Sequence, residues 1–111
     1  MTDIYEWSAQ QNLAIDVVVH EEGKAQFEFN FDHGDPLSLA DQVIVFKRTV
    51  KAAANKHGMT ATFMAKPITG QPGSAMHIHQ SIVEKSTGKN IFAGSCEQST
   101  EFSQNFMHYL G

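Results

Sequence analysis

Two stretches of this chain concentrate the side chains that could do chemistry. The first contains Glu21 and Glu28, with His20 directly before Glu21. The second contains the motif His77-x-His79. Alternate residues of a β-strand share a face, so a strand here would aim two imidazoles at a single place. Both stretches are therefore candidates for a binding or catalytic site.

Carboxylates beside an imidazole are suitable ligands for Mg²⁺ or Mn²⁺ next to a phosphate, because these hard cations prefer oxygen. The odd offset between Glu21 and Glu28 would place them on opposite faces of one unbroken strand. Gly23 permits a bulge or turn that could return both carboxylates to one side. Cys96, the single cysteine, is far away in sequence, which disfavours a thiolate zinc site. The spacing predicts a divalent metal site and identifies no reaction.

Two other interpretations of these polar residues remain open. A solvent-facing strand could carry Gln26, Glu28 and Asn30 for solubility alone. The His-x-His motif could also belong to a zinc-dependent β-sandwich, although no third well-placed ligand is evident. The remaining histidines are interpreted as structural residues of a loop, a helix end and a helix surface: His33, His57 and His108.

Hydrophobic periodicity indicates the elements that would position these residues. A short amphipathic helix is predicted over residues 2–13, and strands are predicted over 15–19 and 25–31. In the second strand Phe27, Phe29 and Phe31 alternate with polar residues, which gives one apolar and one polar face. Two further strands are predicted over residues 59–64 and 75–84, the latter with both histidines of the motif on one face.

The segment after the second strand carries the strongest helix signals. Asp35 is a favourable N-cap, Pro36 a favourable first residue and Gly58 a C-terminal stop. We expect one continuous helix that packs on a sheet through three apolar side chains: Val43, Phe46 and Val50. A last helix is predicted over about residues 99–110. The fold class is α/β, of the α+β kind, with a mainly antiparallel sheet that has a polar, metal-binding face and helices on its other face.

Composition excludes several classes of partner. The chain has 111 residues, a net charge of -4 and a pI of about 5.8, so no basic field favours nucleic acid. No apolar run approaches the ~20 residues of a membrane span. We therefore expect one small domain in the cytoplasm, without a nucleic-acid or membrane partner.

Longer motifs around these residues resemble the glutamine synthetase catalytic domain. In chain order they are His20-Glu21-(six residues)-Glu28, Ala40-Asp41-Gln42 with Phe46-Lys47, Ala61-Thr62-Phe63-Met64-Ala65-Lys66-Pro67, and Gly73-Ser74-Ala75-Met76-His77-Ile78-His79-Gln80-Ser81. The similarity runs in register from about Ile15 to Ser81 and more loosely to the end. This version is most similar to the γ-glutamylputrescine synthetase branch.

The resemblance implies roles for seven residues. Three match positions that bind two divalent metal ions, Mg²⁺ or Mn²⁺: Glu21 and Glu28 for one ion and His77 for the other. Three match positions on the ATP side of the site: Asp16, His79 and Ser81. Gly73 matches a backbone contact to the substrate glutamate. The resemblance assigns no residue of this chain as catalytic.

The resemblance also implies a reaction, in which an ATP-dependent carboxylate–amine ligase forms a γ-glutamyl amide through an acyl phosphate. The chain departs from glutamine-forming members at three positions. It has Pro72 where Asn is usual, Ala75 where Gly is usual and Ala65 where Pro is usual. These departures favour putrescine or a similar amine as the acceptor. Glutamine synthesis from ammonia is the alternative.

The resemblance further implies that residues 1–111 are part of a catalytic domain. The N-terminal β-grasp domain and the C-terminal part of the family are not matched here. The full-length protein is expected to be a ring-shaped homo-oligomer that takes glutamate and an amine. We expect the chain alone to be inactive. A catalytically inactive fragment that binds metal or nucleotide is the other interpretation.

Overall fold

The computed structural model describes residues 1–93 of the chain. Four elements follow one another: helix α1 over Thr2–Gln10, strand β1 over Ile15–His20, strand β2 over Phe27–Phe31 and helix α2 over Pro36–Lys56. All four belong to a first compact unit, Met1–Ala75, and a second unit begins at Met76. Neither helix in this part of the chain is long and apolar enough to cross a membrane.

Helix α2 confirms the prediction of one continuous helix. The Asp35 carboxylate accepts a hydrogen bond of 2.9 Å from the Ser38 N–H and so caps the first turn. The backbone N–H and the hydroxyl of Ser38 hold the pKa of Asp35 below its ordinary value, because both favour the charged carboxylate. Just past the helix, Gly58 has a φ of +68°, which glycine adopts without steric cost. The chain therefore leaves the helix where the sequence predicts a stop.

Strands β1 and β2 form a two-stranded antiparallel sheet. Val18 lies opposite Phe29, and the register is interrupted between Ile15 and Val18. The two strands are joined by a turn over residues 22–25. The antiparallel orientation agrees with the predicted fold class, in which a helix covers one face of the sheet.

The core lies between this sheet and α2. Phe46 is only 3% exposed, and its ring meets the rings of Phe29 and Phe31 edge to face, with centroids 4.9 and 5.3 Å apart. Val50 is also buried and belongs to the same apolar cluster, as predicted. The third predicted contact residue, Val43, is only half-buried.

Helix α1 is tied to the far end of α2 by an ion pair. Lys56 Nζ lies 2.7 Å from Asp3 Oδ1, and His57 bonds the other oxygen of the same carboxylate. Hydrogen bonds hold the pKa of Asp3 below its ordinary value, and the bond from Lys56 has a larger effect than the bond from His57. His57 lies at the C-terminal end of α2, where the sequence placed it.

Two predicted strands do not form. Residues 59–64 and 75–82 have no regular structure, and the remainder of the second predicted strand contributes one isolated bridge, between Val83 and Asn90. A strand is stable only when its backbone groups pair with a neighbour, and alternation in a sequence predicts a face without supplying that neighbour. The helix predicted near residues 99–110 lies outside the described residues.

Candidate carboxylate site

Glu21 and Glu28 lie on one face of the hairpin. Val19 is directly opposite Glu28, and the Glu21 N–H donates to the Gln26 carbonyl at 3.0 Å, which continues the same register. Residues paired across antiparallel strands share a face, as do alternate residues of one strand. The two carboxylates are therefore diagonal neighbours on the face opposite the aromatic core.

The turn between the strands produces this arrangement. Gly23 accepts a hydrogen bond of 3.1 Å from the Gln26 N–H, and Ala25 has a φ of +56°. The chain thus reverses direction: Glu28 lies in β2, and Glu21 directly follows β1 on the other arm of the hairpin. The two glutamates share a face despite their odd offset in sequence, because a complete turn separates them. No bulge within a single strand is involved.

His20 does not accompany the carboxylates. Its ring packs edge to face on Phe27, with centroids 5.2 Å apart, on the opposite face of the hairpin. The interpretation of His20 as an imidazole beside the metal carboxylates is therefore wrong. Glu21, the next residue along the chain, continues the same register and therefore points to the other side.

The other predicted site residues are exposed. Asp16 lies in β1, within the interruption of the register between Ile15 and Val18, while Gly73 lies in a loop of the first unit. The second unit contains three more, outside any strand: His77, His79 and Ser81. The two histidines were expected to share a face because alternate residues of a strand do. No strand forms there, so this expectation loses its basis. Convergence of Glu21, Glu28 and His77 stays a prediction.

The carboxylate face fits a divalent cation in the chemistry of its donors. Glu28 is exposed and Glu21 half-buried, so their oxygens are accessible from one side. Oxygen ligands of this kind suit Mg²⁺ or Mn²⁺. Residues 1–93 bring together no group of three or more His, Cys, Asp or Glu that could hold a metal ion. Two glutamates alone would leave the coordination shell of such an ion incomplete.

The loop that contains Gly73 is closed at its base. The Ser74 N–H donates to the Ala65 carbonyl at 2.8 Å, and Lys66 Nζ donates to the Gln71 carbonyl within the loop. A Cβ on Gly73 would lie 2.8 Å from the Ala65 carbonyl oxygen, closer than real contacts allow. Glycine is thus required there for packing, a reason that sequence reasoning did not identify.

Gln26 is the residue of this region to which sequence reasoning gave no role. Its Nε2 donates to the Gly73 carbonyl at 2.9 Å, while its Oε1 accepts from the Gly23 N–H at 3.0 Å. The one available signal was its place in the polar row of the strand predicted over residues 25–31, between Glu21 and Glu28 in sequence. The contact itself joins residues 47 apart in sequence, which periodicity does not predict.

Relatives of known identity match the chain along nearly its whole length. The family of the glutamine synthetase catalytic domain matches residues 1–111. Glutamine synthetase of Pyrococcus abyssi is 42% identical over 109 residues, which cover 98% of this chain and 24% of that protein. Glutamine synthetase of Azorhizobium caulinodans is 41% identical over 92 residues, covering 83% and 19% respectively.

Solved structures give the same assignment. GmaS without ligand superposes with a TM-score of 0.73 at 35% identity, over 86% of this chain and 23% of that one. A complex of GmaS with ADP gives a TM-score of 0.71 at 36% identity, over 85% and 22%. The chain thus spans about a quarter of the length of these relatives. It belongs to the glutamine synthetase catalytic domain family.

Proposed function

We propose that the chain is part of the catalytic domain of a cytoplasmic, ATP-dependent carboxylate–amine ligase. The enzyme would form a γ-glutamyl amide, with putrescine or a similar primary amine as acceptor. The observation that carries this proposal is the pair Glu21 and Glu28 on one accessible face, in a chain of the glutamine synthetase family.

The proposed reaction has two steps. The γ-phosphoryl group of ATP passes to the γ-carboxylate of glutamate, which gives ADP and an acyl phosphate. The amine nitrogen then attacks the acyl carbon, phosphate leaves with its bonding electron pair, and the amine loses a proton. Both steps depend mainly on positioning and on neutralising phosphate charge.

Residues of this chain would hold the charged participants. Divalent Mg²⁺ or Mn²⁺, when bound, would neutralise phosphate oxygens. We assign one ion to Glu21 and Glu28, and the second ion to His77. The nucleotide side is assigned to Asp16, His79 and Ser81, and the glutamate contact to Gly73. The ADP complex of the structural relative GmaS supports a nucleotide site in this fold.

The acceptor amine is the finer part of the proposal. Pro72 lacks the side-chain amide usual at this position in glutamine-forming members, and Ala65 and Ala75 also depart from them. These changes favour an amine larger than ammonia. The second candidate is glutamine synthesis from ammonia, which is favoured by the names of the sequence relatives.

We also propose that activity belongs to a longer protein, a ring-shaped homo-oligomer. The relatives are about four times as long as this chain. We propose that the longer protein supplies the metal ligands that Glu21, Glu28 and His77 lack, and we expect no turnover by this chain alone. Removing one preorganised electrostatic group can cost roughly 10²–10³ in rate.

The test is phosphate release from ATP by the full-length protein with glutamate and a series of primary amines. We expect turnover with putrescine to exceed turnover with ammonia, and the 111-residue chain to show none. Turnover with ammonia but not with putrescine would overturn the acceptor assignment. Putrescine-dependent turnover by the short chain would overturn the claim that it is incomplete.

A paired substitution tests the metal assignment. Glu28→Gln should raise the Mn²⁺ concentration for half-maximal activity at least about tenfold, because even indirect partners of metal ligands have effects of that size. Glu6→Gln makes the same change on the exposed surface of α1 and should leave the Mn²⁺ requirement unaltered. Equal Mn²⁺ requirements in the two variants would remove Glu28 from the metal site.

A further inference from the structure

The carboxamide of Gln26 bridges two separate backbone segments. Its oxygen accepts from the Gly23 N–H in the hairpin turn at 3.0 Å. Its nitrogen donates to the Gly73 carbonyl at 2.9 Å and contacts the Ser74 hydroxyl at 3.4 Å. Both halves of one side-chain amide are thus used, and each half is bonded to a different loop.

The two glycines make this close approach possible. A Cβ on Gly23 would overlap the Gln26 Oε1 atom. A Cβ on Gly73 would collide with the Ala65 carbonyl oxygen, whose position is fixed by the Ser74 N–H. The bridge therefore occupies a space that the backbone leaves free on both sides.

The position of Gln26 connects this bridge to the carboxylate face. Gln26 lies directly across from Glu21 and two residues before Glu28, on the same face of the hairpin. The loop at its other end is closed by the bond between Ser74 and Ala65. A shift of the Gln26 side chain would consequently change where the Gly73 backbone stands relative to both carboxylates.

We propose that Gln26 is a positioning residue that sets the glutamate-binding backbone of Gly73 at a fixed place beside the carboxylate face. This inference rests on the proposed function, since it takes the Gly73 loop as the glutamate contact. Gln26 touches neither ATP nor the reacting atoms in this scheme. Replacing Gln26 should therefore raise the KM for glutamate more than the KM for ATP.

The first test measures KM values in the full-length ligase. Gln26→Met keeps the approximate shape and removes both hydrogen bonds, while Gln26→Glu replaces the donor by a carboxylate that repels the Gly73 carbonyl. In both variants we expect the KM for glutamate to rise about 10- to 100-fold, the scale of a 1 Å misplacement. Gln10→Glu makes the same charge change at an exposed position of α1 and serves as the control.

The second test leaves Gln26 in place. Gly23→Ala should displace the Gln26 carboxamide, because the new methyl group needs the space of Oε1. The φ of Gly23 lies outside the left-handed region, so alanine is compatible with the backbone there. We expect the same selective rise in the KM for glutamate. Hydrogen exchange supplies a readout without catalysis: the Gly23 amide should be protected in the unsubstituted protein and exchange faster in Gln26→Met.

The outcomes separate the two proposals. No ligase activity in the unsubstituted protein with any amine would overturn the proposed function, and this inference with it. An active protein in which Gln26→Met leaves the KM for glutamate unchanged would overturn the positioning role alone. Equal increases in the KM for glutamate and the KM for ATP, together with a lower melting temperature, would indicate a general structural role. That result would also overturn the positioning role.

Discussion

Replacing Phe46 tests whether the aromatic cluster holds α2 on the hairpin. Three rings surround this side chain edge to face, with centroids 4.9, 5.3 and 6.5 Å away. Phe46→Leu keeps an apolar side chain on the helix and removes the ring. The two closer pairs contribute about 0.5–1.5 kcal/mol each beyond burial, so the loss should be about 1–3 kcal/mol.

The measurement is urea unfolding of the 111-residue chain, followed by circular dichroism. The free energy of unfolding should fall by that amount while the dependence on urea concentration stays constant. Ile44→Leu is the matched control, since Ile44 lies on the same helix but is 60% exposed. It should change the free energy of unfolding by no more than about 0.5 kcal/mol.

Two results would refute this reasoning. Equal losses of stability in Phe46→Leu and Ile44→Leu would mean that α2 does not present the Phe46 side to the sheet. A loss in Phe46→Leu indistinguishable from zero would mean that the ring contacts with Phe29 and Phe31 do not stabilise the fold.

Two further predictions concern charged groups of the same unit. Hydrogen bonds from Lys56 and His57 lower the pKa of Asp3 from its ordinary value of 3.8. The charged carboxylate therefore stabilises the fold above about pH 3.8, and this stabilisation is lost as the pH falls through the lowered pKa. Asp3→Asn should therefore lower the urea midpoint at about pH 6 and leave it unchanged at about pH 2, and an equal loss at both would contradict the ion-pair explanation. Asp35→Ala should lower the melting temperature by roughly 4–8 °C, because the helix loses its N-cap. Asp35→Ser should lower the melting temperature much less, because serine also caps a helix. Equal losses in the two variants would contradict the capping role.

Local signals predicted the best-defined parts of this fold. The N-cap at Asp35 and the apolar spacing through Phe46 act within a few residues, and α2 forms where they indicate. The alternation of Phe27, Phe29 and Phe31 likewise predicted which face of β2 is polar. These features are determined by neighbouring residues, which is why sequence alone could identify them.

The failures share a physical cause, which is dependence on distant partners. The strands predicted over 59–64 and 75–84 needed neighbours that alternation does not name. His20 was misplaced because its strand turns it toward Phe27. The bond from Gln26 to the loop at Gly73 crosses 47 residues and carries no local pattern. The family motifs supplied the site assignments, while the geometry around Gln26 required a structure.

The hairpin also determines which spacings evolution can alter in this site. The face of Glu21 follows from its three-residue offset to Val18, and the face of Glu28 from its adjacency to Phe29, because both apolar residues point toward the core. Neither of these two offsets depends on the number of residues in the turn. Insertions or deletions between the strands should therefore leave the carboxylates facing the same way, whereas a one-residue change between a glutamate and its apolar anchor would turn that glutamate away. A search pattern for remote relatives should accordingly fix the distance from each glutamate to its anchor and let the distance between the glutamates vary.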